Sequence, residues 1–296
     1  LMIGNYLQAI EQGADTAVLT GSCGPCRFGE YSELQMQIMK KLGYKLDFIV
    51  MDVLKDIGWE EFLSRVKKIA AYSNKPTSQK FKALFLAFRV MNLIDEIEAR
   101  AHYLAGYEKV RGTCKKLLNS CKAAAINCTA PEEMVELLLS YKKQLDKVEL
   151  DPHKKPLKIA VIGEIYTIIE PFTNLNIEER LMDYGISTKR RLTPSWWLKN
   201  VASFKLNDLL IRKRAEDYLA LEIGGHAREC VSKAVLAWRE GFDGAIQVFP
   251  MGCMPEIVSK AILPTISKDK SLPIMTLIVD EMTGEAGYIT RLEAFI

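Results

Sequence analysis

The chain has 296 residues, 49% hydrophobic and 26% charged, with 40 basic and 37 acidic side chains and a net charge of +3. This length exceeds one ordinary compact domain and predicts two domains, or one with a large insertion, while the composition excludes a disordered chain. The near balance of charge gives no electrostatic case for nucleic acid or an anionic membrane as a partner.

No apolar run approaches the roughly 20 residues that cross a bilayer, and the opening Leu1-Met2-Ile3-Gly4-Asn5 has neither the basic flank nor the cleavage site of a signal peptide. A cytoplasmic protein is expected. In that compartment seven cysteines point to metal binding, redox chemistry or burial rather than to disulfides.

Residues 4–10 read as a helix and 14–20 as a short buried strand. A helix over 31–42 and a strand over 46–51 follow, the β-loop-α-β order of a parallel sheet. With no strand before the first helix, a further amino-terminal piece of this lobe is expected. From Trp59 to about Val148 the pattern is helical, most clearly over 81–101 and 134–145. Thr129-Ala130-Pro131-Glu132 reads as a capping box that starts a helix at Ala130. Pro152 to Pro156 then form a boundary. Beyond it a buried strand over 157–162 ends at Gly163, and strands over 244–249 and 274–279 bracket a helix near 255–263. The expected fold is α/β, with two Rossmann- or flavodoxin-like parallel-sheet lobes: a partial one at 1–57 and a second at 151–296, joined by a helical insertion at 58–150.

The two lobes repeat each other. Glu11-Gln12-Gly13-Ala14-Asp15 parallels Arg239-Glu240-Gly241-Phe242-Asp243, and Asp15 is as far from Asp52 as Asp243 is from Asp280. Each stretch holds a strand, a Gly/Pro/Cys loop, a helix and a second strand. Open parallel sheets place ligands beyond the carboxyl ends of their strands, which is where Cys23, Cys26 and Cys253 fall.

Two readings of these cysteines compete with plain burial in tight turns. Cys23-Gly24-Pro25-Cys26 is the thioredoxin tetrapeptide at a strand-to-helix turn, where a helix start lowers a thiol pKa. However, Ser22 replaces the expected Trp and nothing downstream resembles that fold. Metal ligation explains more, because thiolates ligate iron–sulfur clusters and this reading also uses Cys253. Cys114, Cys121 and Cys128 are spaced by seven, about 10 Å along a helix, too far to share a small site. Cys114, Cys121 and Cys230 read as core.

Gly24-Pro25-Cys26-Arg27-Phe28-Gly29, Gly163-Glu164-Ile165-Tyr166, Gly224-Gly225-His226, Gly252-Cys253-Met254-Pro255-Glu256 and the stretch over 280–295 resemble the 2-hydroxyacyl-CoA dehydratase superfamily. The likeness is to its activase-related branch, the CoA-substrate-specific enzyme activases. The resemblance implies a 4Fe–4S or double-cubane cluster held by Cys26 and Cys253, with Cys23 a further candidate. It also implies a cofactor surround of Gly24, Pro25, Arg27, Glu164, Tyr166, Gly225 and His226. It further implies an ATP-hydrolysing activator as partner, an acyl-CoA substrate, a dimer, and participation in ATP-driven one-electron reduction of a CoA thioester. The family's Cys-x-Pro loop upstream is not in this sequence, and no Gly-x-x-x-x-Gly-Lys-Ser/Thr nucleotide loop occurs. The alternatives are a dithiol oxidoreductase through Cys23 and Cys26, and a non-catalytic scaffold.

Other polar motifs have structural readings beside these. Gly224-Gly225-His226 before a helix suits an anion or close packing. Glu164 and Tyr166 at a strand end suit substrate or support, and Asp280, Glu281 and Glu285 suit a hard metal or helix capping. Trp196-Trp197 reads as a packing feature.

Overall fold

In the computed structural model residues 2–21, 28–51, 54–202 and 206–296 are described, and they form an α/β fold with parallel sheets of two and four strands. The chain divides into two compact units, residues 1–80 with 223–225 and residues 81–222 with 226–296.

The first unit holds α1 (Met2–Glu11), β1 (Thr16–Thr20), α2 (Phe28–Lys41), β2 (Asp47–Met51) and α3 (Leu54–Ala71). β1 and β2 pair in parallel, Thr16 opposite Asp47, because a helical crossover returns the chain to the same end of the sheet. Its small core is Tyr6, Met39 and Ile49. The Tyr6 ring meets Phe48 edge-on at 5.6 Å, and its hydroxyl donates to Gln35.

The division falls in the first turn of α4 (Thr77–Leu104), which is followed by α5 (Thr113–Ala125) and α6 (Pro131–Asp146). Apolar residues spaced three and four apart turn Ile97, Ala101, Leu104, Cys114, Leu118, Cys121, Leu138 and Leu145 into one core. Cys114 and Cys121 thus lie inside a helical core, where burial pushes both thiols up. The capping box takes a different form from the one expected. Ala130 holds the cap position of α6 with no side-chain cap, and Glu133, not Glu132, accepts the Thr129 N–H at 3.1 Å. Pro131, whose ring presets a helical φ, starts the helix one residue later, and Glu132 pairs with Lys82 instead.

The remainder comprises β3 (Lys158–Gly163), α7 (Ile165–Ile169), α8 (Ile177–Asp183), β4 (Ser187–Arg190), α9 (Pro194–Ala202), α10 (Leu206–Ala215), α11 (Ala227–Arg239), β5 (Gly244–Pro250), α12 (Met254–Lys270), β6 (Ile274–Val279) and α13 (Glu285–Phe295). The strands run in parallel in the order β4-β3-β5-β6. Strand side chains alternate between faces. Ile159, Val161, Ile246 and Val248 therefore pack with α8 and α13, while Ala160, Ile162 and Ala245 pack with α11 and α12. Both faces are covered, which accounts for the nearly continuous apolar run of β3.

The repeat read in the sequence has a structural counterpart. α1-β1-α2-β2 and α11-β5-α12-β6 follow the same order at the offset that separates Asp15 from Asp243. The turns into β1 and β5 match as well. Gly13 and Gly241 N–H groups donate to Ile10 and Trp238, and the N–H groups of Ala14 and Phe242 donate to Ala9 and Ala237. Registers differ by two residues, since Thr16 faces Asp47 whereas Ala245 faces Ile274.

Candidate functional site

Strand order reverses between β3 and β5, because the chain leaves β3 toward β4 on one side and returns to β5 on the other. The crevice at such a point, beyond the carboxyl ends of the strands, is where open α/β sheets bind ligands. Glu164 just beyond β3, Lys233 of α11 and Glu256 of α12 are close enough for charge to act between Glu164 and Glu256 and between Glu256 and Lys233.

Beyond β5 the turn Met251-Gly252-Cys253 feeds α12. Cys253 donates its N–H to Pro250 O at 3.1 Å, and its own carbonyl accepts the Ile257 N–H at 2.9 Å. It is the cap residue of α12, half-buried, with Pro255 in the first turn.

Glu164, just beyond β3, caps α7. Its carboxylate accepts N–H groups of Tyr166 at 3.0 Å and Thr167 at 2.8 Å, and the Thr167 hydroxyl at 2.7 Å. Those bonds use its oxygens for local structure, and its charge acts on His226 and Glu256. Burial pushes the Tyr166 phenol up, and that ring is 40% exposed. Gly225 is exposed and precedes His226, the cap residue of α11. The His226 ring stands 6.3 Å from Trp196. Burial first, then the Lys233 charge, hold the imidazole down at about 4, so it is neutral at pH 7.

Three participants were not foreseen as site residues. Glu256, in the first turn of α12, is 1% exposed. Its Oε2 accepts Gln247 Nε2 at 2.8 Å, while Oε1 has no hydrogen-bond partner. Gln247 is oriented by the Thr276 hydroxyl, which donates to its Oε1 at 3.0 Å. Burial pushes the Glu256 carboxyl up to about 7; the nearby Glu164 charge adds to the rise, against donors from Gln247 and Cys230. Lys233, on α11, lies with its ammonium 4.3 Å from the Trp196 ring centre. Burial pushes that ammonium down to about 8. The signal available in the sequence was a lone lysine among Val231, Ala234 and Ala237, on a stripe otherwise made for burial. A group of titratable side chains pushed from their ordinary values in one crevice is characteristic of functional sites.

Glu256 sets a pH dependence whose sign is fixed by the raised carboxyl. Between about 4.5 and 7 the folded protein binds a proton that the unfolded chain releases. Its contribution to stability is therefore full below about 4.5 and is lost as pH rises through about 7. Glu256→Gln is expected to flatten this window: the fall in denaturation midpoint from about pH 5 to about pH 8 should shrink relative to wild type. An unchanged fall would show that the carboxyl is already charged in the folded protein.

The remaining expected site residues divide plainly. Cys23, Gly24, Pro25, Cys26 and Arg27 lie outside the described residues. Asp280 accepts the Met282 N–H and the Thr283 hydroxyl, and Glu285 pairs with Arg180, so these carboxylates serve the loop before α13. Among the described residues no three of His, Cys, Asp and Glu converge as metal ligands, and no helix is long and apolar enough to cross a membrane. No protein-family model matches the chain, and no curated protein does either.

Proposed function

We propose that the chain is an iron–sulfur protein like the 2-hydroxyacyl-CoA dehydratase subunits its loops resemble, taking part in ATP-driven one-electron reduction of a CoA thioester or a related low-potential reduction. The observation that carries this is Cys253: half-buried, at the start of α12, directly beyond β5 where the strand order reverses. A thiolate in that place fits a cluster ligand. Cys26 falls within one position of Cys253 when the repeats are superposed, and Cys26 and Cys23 complete the ligand set of the proposal. A bound 4Fe–4S or double-cubane cluster supplies one-electron transfer at low potential. The chain's own contribution is to position the thiolate, with Glu164 and His226 nearby and the buried Glu256 behind them. The strand order and the helices on both faces favour a flavodoxin-like second lobe, and the repeat extends that reading to the first. ATP hydrolysis then belongs to a separate activator, the substrate is an acyl-CoA, and the protein is a cytoplasmic dimer.

Anaerobic purification with iron and sulfide analysis and EPR tests this. Cys253→Ser and Cys26→Ser are each expected to abolish or alter the cluster signal, and Cys114→Ser to leave it intact. Iron-free, redox-inert protein from anaerobic cells would overturn the proposal in favour of a partner-binding scaffold.

A second reading has one observation in its favour. α2 begins at Phe28, two residues after Cys26 and beyond the end of β1, the placement that activates a Cys-x-x-Cys dithiol. Rapid reduction of a protein disulfide, lost equally in Cys23→Ser and Cys26→Ser but retained in Cys253→Ser, would establish it.

A further inference from the structure

β4 is an edge strand of the four-stranded sheet, and a groove runs between its carboxyl end and α11. Lys189 and Arg191 are two apart and share one side of the chain, while Lys233 and Ala237 stand one helical turn apart on α11. Ala160 and Ile162 form the floor. We propose that this groove is an oxyanion site, in which Lys189, Arg191 and Lys233 take the terminal oxygen of a phosphate or carboxylate group.

The charge balance is the first argument. Glu240 serves both Lys189, at 3.1 Å, and Arg191, so one carboxylate answers two cations at the mouth of the groove. Lys233 adds a third cation, on which the charges of Glu229 and Glu256 also act. It is 8% exposed, and its ammonium has no hydrogen-bond partner. The contact with Trp196 satisfies one side of that ammonium but accepts none of its N–H bonds in the ordinary way. A buried ammonium with unmet donors is costly, and an anionic oxygen answers the charge and the donors together. The Arg191 charge itself helps to hold Lys233 down, and an anion between the two would remove that repulsion.

Shape is the second. The pocket measures about 10 Å³, which admits a single water-sized atom. One oxygen of a larger group enters, while the rest stays outside within reach of the planar donor fork of Arg191. The inference is independent of the iron–sulfur reading, since none of the three basic residues belongs to the cluster ligand set.

Thermal unfolding of the full chain at rising phosphate or acetate, with ionic strength held constant by chloride, tests the site. At least one oxyanion is expected to raise Tm saturably. Lys233→Met, which keeps the apolar stem, and Arg191→Gln are each expected to weaken the apparent affinity at least about tenfold, the scale of one charge-assisted contact. A response to phosphate alone assigns a phosphate-bearing ligand, and a response to acetate alone a carboxylate. If Lys233→Met fails to fold, the half-buried Arg191→Gln carries the test. No saturable rise with either anion, or variants that respond as wild type does, would overturn the proposal.

Discussion

Arg190→Met is expected to lower stability by about 3–5 kcal/mol, the cost of leaving a buried carboxylate without its partner. In the second unit Glu178 of α8 lies between His102 of α4, 3.3 Å from Nδ1, and Arg190 of β4, 2.9 Å from Nε. Charge contributes more than hydrogen bonding to the Arg190 contact. All three side chains are nearly inaccessible, whereas the further pair of Arg190 with the quarter-exposed Glu98 adds little. Burial raises the Glu178 carboxyl, but the charges of His102 and Arg190 outweigh it and hold the group at about 2. Because this carboxyl is depressed, its stabilisation is present above the ordinary value of 4.5 and is lost as pH falls through about 2. Glu178→Gln should therefore remove part of the acid sensitivity as well as stability. Urea unfolding at neutral pH, followed by an acid titration, checks both. An Arg190→Met protein within about 1 kcal/mol of wild type would show that the trio is a surface-like network.

Gly163→Ala is expected to cost about 4 kcal/mol or more, in the range reserved for changes the backbone cannot absorb. Gly163 ends β3 at φ +133°, and a Cβ there would stand 2.0 Å from Val248 O and 2.8 Å from its carbonyl carbon. The obstacle is the main chain of β5, so relief means parting the two central strands and losing the bond from the Glu164 N–H to Val248 O at 3.1 Å. Gly185→Ala is the control. Gly185 has φ +72° but open space around it, and pays only the local strain of about 1–2 kcal/mol. Equal losses in the two variants would refute the close-approach argument.

Much of the α/β alternation was legible because periods of 2 and 3.6 residues are local properties of the chain. The strand ending at Gly163 and the strand beginning at Gly244 come from short apolar runs bounded by glycine, and the strand over 274–279 from one between Pro273 and Asp280. The repeat was legible for the same reason. Its two halves carry the same order of elements and the same helix-to-strand turn at Gly13 and Gly241. The start of α6 was misread by one residue, since the Thr129 hydroxyl and the Pro131 ring favour different starts and only the folded turn chooses between them.

The sequence by itself determined five of the strands and the main helices, though not β4 or α7 to α10, and placed Cys253 just beyond a strand end, because those properties depend on neighbours along the chain. Only the tertiary structure decided the strand order β4-β3-β5-β6, and with it which two strand ends flank the crevice. It also decided that Glu256 and Lys233, which the sequence left within ordinary helices, are buried with Oε1 and Nζ lacking hydrogen-bond partners. Burial and the charges facing a group depend on elements far apart in sequence, and they, rather than residue type, set the protonation of these two side chains.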